Sequence, residues 1–522
     1  MGSISEFDLD NIQGDIWPGL SKRYEKFIFF TIQNPALFKP GLQKLADEEI
    51  TSSNKALLDR CAIQKVNEAK KADRKKPLSG SGLLGVAGGF INLGVDMLTA
   101  LHDALPEHGH IPKAKGSDDA SIAGVNISFT NRGMAKLSSE KFKDDPFIKG
   151  MFHDMVNEGR DEADHWIAEF TQDQVDGVVL VCGTQDAVEK KRHDLLNNYL
   201  SKSKGVVVVK ELEGKERPGK MKGHEHFGFL DGISQPLIKG LDDATAELRG
   251  SRKHLTRPGI ILFGHDGEMD DNPDLKHPAW AKDGSILVVR KIKQLVPEWN
   301  KFVESEAPKL NFTPGQFGAR LVGRWQSGAP VELYPNEDPV PKYADDDPEK
   351  KIIATWNDFD YPTKSQVNCP FASHMRKTKP RAVVDNDDKF DIMRRGIPYG
   401  EELRNDEATE TKLDRGLMFL CYQTSLSNGF QFIRNRWINP DTFPFGKTDY
   451  TGGINPGQDP VVGQSVKGAI EDDDKLLNTS IYDGNGQHNQ VTFQPFIESH
   501  GGDYFFTPSL KLLRELSVAP AV

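Results

Sequence analysis

The sequence predicts an α+β protein of two similar halves, each an antiparallel sheet with helices packed on one face. Three observations carry that expectation. Short runs dense in β-branched and aromatic residues are interleaved with segments of helical spacing in mixed order. The same grammar recurs after Gly223. The 522 residues, 37% of them hydrophobic, suffice for two ordinary cores.

In chain order, Tyr24–Ile32 (YEKFIFFTI) reads as a buried strand, and 34–59 carries helical spacing with few turn signals. The Gly-rich, uncharged stretch 77–95 reads as a loop entering a short helix at 95–104, since its six glycines argue against a membrane span. Residues 125–130 form a second strand, with Asn131 as N-cap of the helix after it. Strands at 178–182 and 206–211 flank a helix at 186–200. The second half has strands at 259–263, 286–291 and 417–422 and helices at 298–305 and 428–435, and it closes with strand DYFFTP and helix SLKLLREL. The expected domains are therefore 1–223 and 224–522. Segments 335–362 and 440–490, rich in Pro, Asp, Gly and Asn, read as long surface loops.

With 66 Lys and Arg against 77 Asp and Glu, a net charge of −11, no basic field draws nucleic acid or anionic membrane. The four cysteines form no CxxC pair, so neither a disulfide framework nor a zinc knuckle is readable. The first twenty residues lack a basic region followed by an apolar run, so no signal peptide is expected there.

Three segments carry candidate chemistry. HEHFGFLDGISQP (224–236) places Asp231 between Gly228 and Gly232 in an aromatic, apolar setting, where an ionised carboxylate needs a cavity or a cation. Flanking glycines let the backbone approach a flat ligand. Asp231 also reads as the cap of a helix begun at Gly232. NCPFASHMRKTKPR (368–381) holds His374 among apolar neighbours, which serves a core histidine as well as a metal ligand. FDIMRRGIPYG (390–400) sets Arg394 and Arg395 beside a Gly-Ile-Pro turn, and surface salt bridging is the ordinary fate of such a pair.

In that order the three segments resemble the dye-decolourising peroxidase family in its fungal form, with GxxDG at 228–232 the most diagnostic motif. The resemblance extends to LDNIQGDI, to LMFLCYQTSLSNGFQFI from 417 and to the final GDYFFTPS, nearly the whole chain. It implies two ferredoxin-like domains and a haem b (iron protoporphyrin IX) held mainly by the C-terminal one. His374 would be the proximal iron ligand, Asp231 the distal acid and Arg394 the distal arginine, with Arg395 as the register alternative. Asp459, in PGQDPVVGQ, would receive the Nδ1 proton of His374. Leu417 and Phe419 resemble apolar distal-wall positions. Trp437 and Tyr399 match positions of a surface radical site and its relay, although a packing tryptophan fits Trp437 as well.

The implied activity is reduction of hydrogen peroxide with oxidation of dyes, phenolics and other aromatic reductants. Aspartate titrates near pH ~4, so activity should rise toward acid. The acidic run Asp385, Asp387, Asp388 and Asp391 offers oxygen ligands for Mn(II), or is simply a solvated loop. Fungal relatives being mostly extracellular, secretion is expected, as monomer or homodimer, with Asn126, Asn311 and Asn478 as glycan acceptors. Three alternatives remain at this stage: a zinc enzyme using His224 and His226, a haem-thiolate protein using Cys369, and a haem-binding or iron-carrying protein without peroxidase turnover.

Overall fold

The structure is a computed structural model and describes residues 7–74, 122–157, 161–243, 255–269, 276–340, 356–384, 387–464 and 476–518. The stretches expected as a Gly-rich loop and helix at 77–104 lie outside them.

Among the described residues nine strands make one curled antiparallel sheet: β1 Tyr24–Ile32, β2 Ala123–Phe129, β3 Gly177–Gly183, β4 Val206–Lys215, β5 Ser285–Gln294, β6 Met393–Arg394, β7 Ile397–Tyr399, β8 Gly416–Gln423 and β9 Ile497–Thr507. Their order is β4-β1-β3-β2-β9-β5-β8-β6, with β7 also on β8. The first four therefore lie fourth-first-third-second, and β9, β5, β8 and the β6/β7 pair repeat that arrangement, which is the ferredoxin-like βαββαβ order twice over. The two sets join edge to edge where Phe506 of β9 faces Phe129 of β2. At the far ends, a Cβ placed on Gly214 of β4 would lie 2.3 Å from the Ile397 side chain of β7, so the sheet curls back almost upon itself.

Burial explains the sequence pattern. Residues 27–30 of β1 and 178–181 of β3 are all fully buried, whichever face they point to. A strand covered on both faces reads as a continuous apolar run instead of alternating, and both segments do. β8 differs: Met418 and Leu420 are buried in the main core, whereas Leu417 and Phe419 line a cavity on the other face.

Several elements depart from expectation. Residues 259–263 are no strand; Pro258–Ile260 is a single helical turn, because Pro258 fixes its own φ and offers no N–H to a ladder. The helix expected over 34–59 is two, Pro35–Glu48 and Ser53–Arg74. The cap before Asn131 is Thr130, whose hydroxyl accepts from Gly133 N–H, and Asn131 is the first helical residue. The helix expected at 428–435 is one turn, Phe430–Phe432, running into a π-helical segment, Ile433–Ile438. Asn126 is buried in β2 and donates to Tyr422 Oη, so no glycan can reach it. Among the described residues no helix is long and apolar enough to cross a membrane.

Candidate active site

A cavity of about 330 Å³ opens on the face of β5 and β8, and every residue lining it falls between 225 and 497. Asp231, Arg394 and His374 all line it.

Asp231 reaches the cavity from a tight loop. His224 and Leu230 form a β-bridge, and Asp231 N–H donates to the Gly223 carbonyl. The loop requires positive φ at Gly228 (+98°), where a Cβ would also strike the Gln326 side chain at 2.8 Å. At Gly232 (φ +80°) a Cβ would meet nothing within 4 Å, because the residue borders the void. No helix follows, so Asp231 is not a helix cap; its Oδ1 accepts from Gly232 N–H at 2.6 Å. The same oxygen accepts from Arg394 Nη1 at 2.6 Å. The Asp231 side chain is 38% exposed, and that exposure is to the cavity it lines. Burial pushes its pKa up, but the Arg394 guanidinium outweighs this and holds the carboxyl below its ordinary value.

Strand geometry separates the two arginines. Gln235 grips the backbone of Arg394, accepting from its N–H and donating to its carbonyl at 3.1 Å each, and Arg394 Nη2 donates to the Ser234 carbonyl. Arg395, one residue on, points the opposite way and donates to the carbonyls of Asp15 and Ile16.

His374 opens the short helix His374–Thr378, which ends before Pro380 because the residue ahead of a proline disfavours helical ψ. Its Nδ1 lies 2.8 Å from Asp459 Oδ2, leaving Nε2 for a ligand. Asp459 is fully buried, and its Oδ1 accepts from the N–H groups of Val461 and Val462. Burial lowers the His374 pKa, yet the adjacent Asp459 carboxylate more than reverses this and the net direction is upward. An imidazole anchored to a carboxylate through Nδ1 is the arrangement of a metal-ligating histidine.

The remaining walls suit a flat, apolar, anionic group. Leu417, Phe419, Ile292 and Val461 supply apolar surface, and among the described residues six Arg and Lys line the cavity against three Asp and Glu. Arg290 and Arg434 share the single buried carboxylate of Asp161, and Arg290 keeps a buried Nη1 with no hydrogen-bond partner. A surplus guanidinium donor at a cavity wall fits a carboxylate on the bound group.

Other expected positions lie elsewhere. Trp437 is only 3% exposed, enclosed by Phe390, Phe432 and Phe443, so no bulky molecule can touch its ring as a surface residue. The cavity-lining Phe390 packs edge-on to it at 4.8 Å, and Phe443 stacks at 5.4 Å and leads to the exposed Phe445. Tyr399 is buried too, donating its hydroxyl to Asp414 at 2.8 Å. Of the acidic run, Asp385 lies outside the described residues, Asp388 is paired with Arg257, and Asp391 with Lys379 and Thr256. Among the described residues no three potential ligands gather to hold a metal ion. His224 and His226 do not converge: one contacts the Lys222 carbonyl, the other the Tyr399 carbonyl. Burial pushes the Cys369 thiol up to about 11, which disfavours the thiolate an iron ligand requires.

Sequence reasoning missed Glu225, Gln235 and Lys377. Glu225, beside the cavity, closes the Asp231 loop by accepting from Phe227 and Phe229 N–H. A charged residue inside an aromatic motif was the available signal for it. Lys377 carries no such signal, standing in a run with Arg376, Lys379 and Arg381.

Comparison with known proteins locates two family models on the chain. "DyP dimeric alpha+beta barrel domain" matches residues 11–115 and 94–218, and "Dyp-type peroxidase, C-terminal" matches 322–450. Among similar proteins, Peroxidase 2 of Mycetinis scorodonius is 32% identical over 97% of this chain and 87% of its own length. A dye-decolorizing peroxidase of Mycena epipterygia is 32% identical over 98% and 87%. Among solved structures, a mutant of the dye-decolorizing peroxidase from Pleurotus ostreatus superposes with TM-score 0.77 at 32% identity, covering 98% of this chain and 100% of that one.

Proposed function

Because the chain belongs to the dye-decolourising peroxidase family, we propose that it is a haem peroxidase in which His374 holds the iron and the Asp231–Arg394 pair acts on hydrogen peroxide. The observation that carries this reading is the meeting of two charge-paired sets, Asp231 with Arg394 and His374 with Asp459, at one cavity from four separate stretches of chain. The cavity fits the group: a free imidazole nitrogen, apolar walls, and an unpaired Arg290 donor for a propionate.

Haem, when bound, supplies the iron that takes up peroxide and stores its oxidising equivalents. The chain's own residues do the rest. His374 would hold the iron through Nε2 while its Nδ1 is bonded to Asp459, whose carboxylate would make the imidazole a stronger donor. Asp231, held ionised by Arg394, takes a proton from one peroxide oxygen and returns it to the other. Arg394, fixed by Gln235 and Ser234, opposes the negative charge that develops as the O–O bond breaks. Leu417 and Phe419 supply apolar wall to the cavity and would limit the size of what reaches Asp231 and Arg394.

Dyes and other large aromatic reductants would then give up electrons at the surface. Trp437 serves this reading as an interior station between the cavity-lining Phe390 and the exposed Phe445, with Tyr399 as a second oxidisable ring. Oxidation of Mn(II) at the acidic run finds no support, because Asp388 and Asp391 are already engaged by cations. An absorption spectrum before and after one equivalent of hydrogen peroxide tests the assignment. A Soret band that shifts in the wild type, and persists without shifting in Asp231→Asn, is the expected result. A variant that still turns over at the wild-type rate would remove Asp231 from the mechanism, and a Soret band with no turnover in the wild type would favour a haem carrier.

A further inference from the structure

Lys377 lies one turn beyond His374 on the same short helix and is fully buried, yet no carboxylate is among its hydrogen-bond partners. Its Nζ donates to three main-chain carbonyls, Pro440 at 2.8 Å, Phe443 at 3.1 Å and Gly457 at 2.5 Å. An ammonium has three N–H donors and a neutral amine two, so three converging carbonyls select the charged form. All three acceptors belong to the loop that leads from Trp437 to Asp459. Gly457 stands two residues before Asp459, at φ +102° and bridged to Thr479, with no room for a Cβ beside the Asn478 carbonyl. The Phe443 ring stacks on Trp437.

We propose that Lys377 is a positioning residue that clasps this loop to the His374 helix and thereby sets the contact between Asp459 and the imidazole. His374 and Lys377 leave one rigid helical turn, and Asp459 arrives on a segment with no regular secondary structure of its own. Among the described residues the Asp459 carboxylate meets Val461 and Val462 N–H from its own loop and the histidine it orients, and its backbone is tied through Asp459 N–H to the Ile438 carbonyl, so Lys377 is the link from this loop to the His374 helix that does not pass through the imidazole. Burial pushes the Lys377 ammonium down to about 7 against the pull of Asp459 and Asp441, so the three carbonyls are the direct partners that support its charged form. The inference rests on the reading of His374 as the iron ligand for its functional meaning, but the clasp itself is a property of the protein alone.

The test uses Lys377→Met, which keeps the length of the stem and removes all three donors, with Lys377→Arg as the conservative control. In the haem-free protein, amide hydrogen exchange at Val461 and Val462 reads the order of the Asp459 loop. Loss of a charge-assisted hydrogen bond should speed it about tenfold or more in the methionine variant. In the haem-loaded protein, the iron–histidine stretching frequency of the ferrous form should fall toward that of Asp459→Asn, and the arginine variant should recover part of it. Unchanged exchange at Val461 and Val462 overturns the clasp. Faster exchange with an unchanged stretching frequency overturns its link to the histidine. Should Lys377→Met fail to take up haem, the exchange measurement and the arginine variant still decide.

Discussion

Replacing Arg394 by glutamine removes the cation that keeps Asp231 ionised and leaves burial, which works in the opposite direction, opposed only by the weaker pull of Gly232 N–H and His374. The contact is a 2.6 Å hydrogen bond between Arg394 Nη1 and Asp231 Oδ1. Charged hydrogen bonds of this kind contribute roughly 1.5–3 kcal/mol. Because the carboxylate is 38% exposed, screening brings the figure to the lower end, about 1.5 kcal/mol. At about 1.4 kcal/mol per pH unit this equals roughly one unit. The sign follows from the working form. The base must be ionised, so activity is present above its pKa and is lost as pH falls through it, which sets an acid limit to the rise toward low pH expected from the sequence. In the wild type that loss lies below the ordinary aspartate range, and in Arg394→Gln it should lie higher than in the wild type. Stopped-flow measurement of the first reaction with hydrogen peroxide between pH ~2.5 and ~7 reads the limb directly, with the Soret band as a check that haem stays bound. An acid limb that does not move, in a variant that retains its haem, would refute the assignment of Asp231 as the proton carrier.

Asp231→Asn should lower the rate of that first reaction by about 10²–10⁴-fold while the Soret band persists. His374→Ala should lose the Soret band on purification, and retention of a wild-type spectrum would place the iron ligand elsewhere. Trp437→Phe keeps the aromatic packing, so it should slow turnover of bulky anthraquinone dyes while sparing small phenols and the melting temperature; equal losses on both substrates would dismiss Trp437 as a station. Asp503 is pushed up to about 6, chiefly by burial, although Met151 and Tyr504 N–H oppose it. Its folded-state pKa exceeds the unfolded one, so stability declines as pH rises from about 4 to 6, by up to about 3 kcal/mol. Asp503→Asn, whose Oδ1 can accept both N–H groups, should flatten that part of a denaturation profile, and an unaltered slope would assign it to other groups.

What the sequence made legible follows the reach of each physical signal. Strands covered on both faces, such as β1 and β3, announce themselves as unbroken apolar runs, and the glycines around Asp231 mark a backbone that must turn under a positive φ. The choice between Arg394 and Arg395 was beyond composition, since only the alternation of side chains along a strand, once its register on β8 is known, sends one to the cavity and the other to Asp15. The burial of Trp437 was equally hidden: Phe390, which closes over its ring, comes from a segment far back in the chain. Lys377 shows the limit most clearly. Four basic residues in six, from Arg376 to Arg381 with Lys377 and Lys379 between, look like a solvated face. Yet Arg376 and Lys377 are fully buried and bonded to loop carbonyls.

The near-closure of the sheet at Gly214 and Ile397 bears on how the chain can be divided. Cut near 223, the two portions would separate the paired β2 and β9 edges, and each bared edge is an invitation to pair with whatever strand is available. The complementary portion is the best such strand, because β2 and β9 already pair antiparallel at Phe129 and Phe506. Two fragments produced together should therefore find one another and rebuild the whole, whereas either one made alone should self-associate.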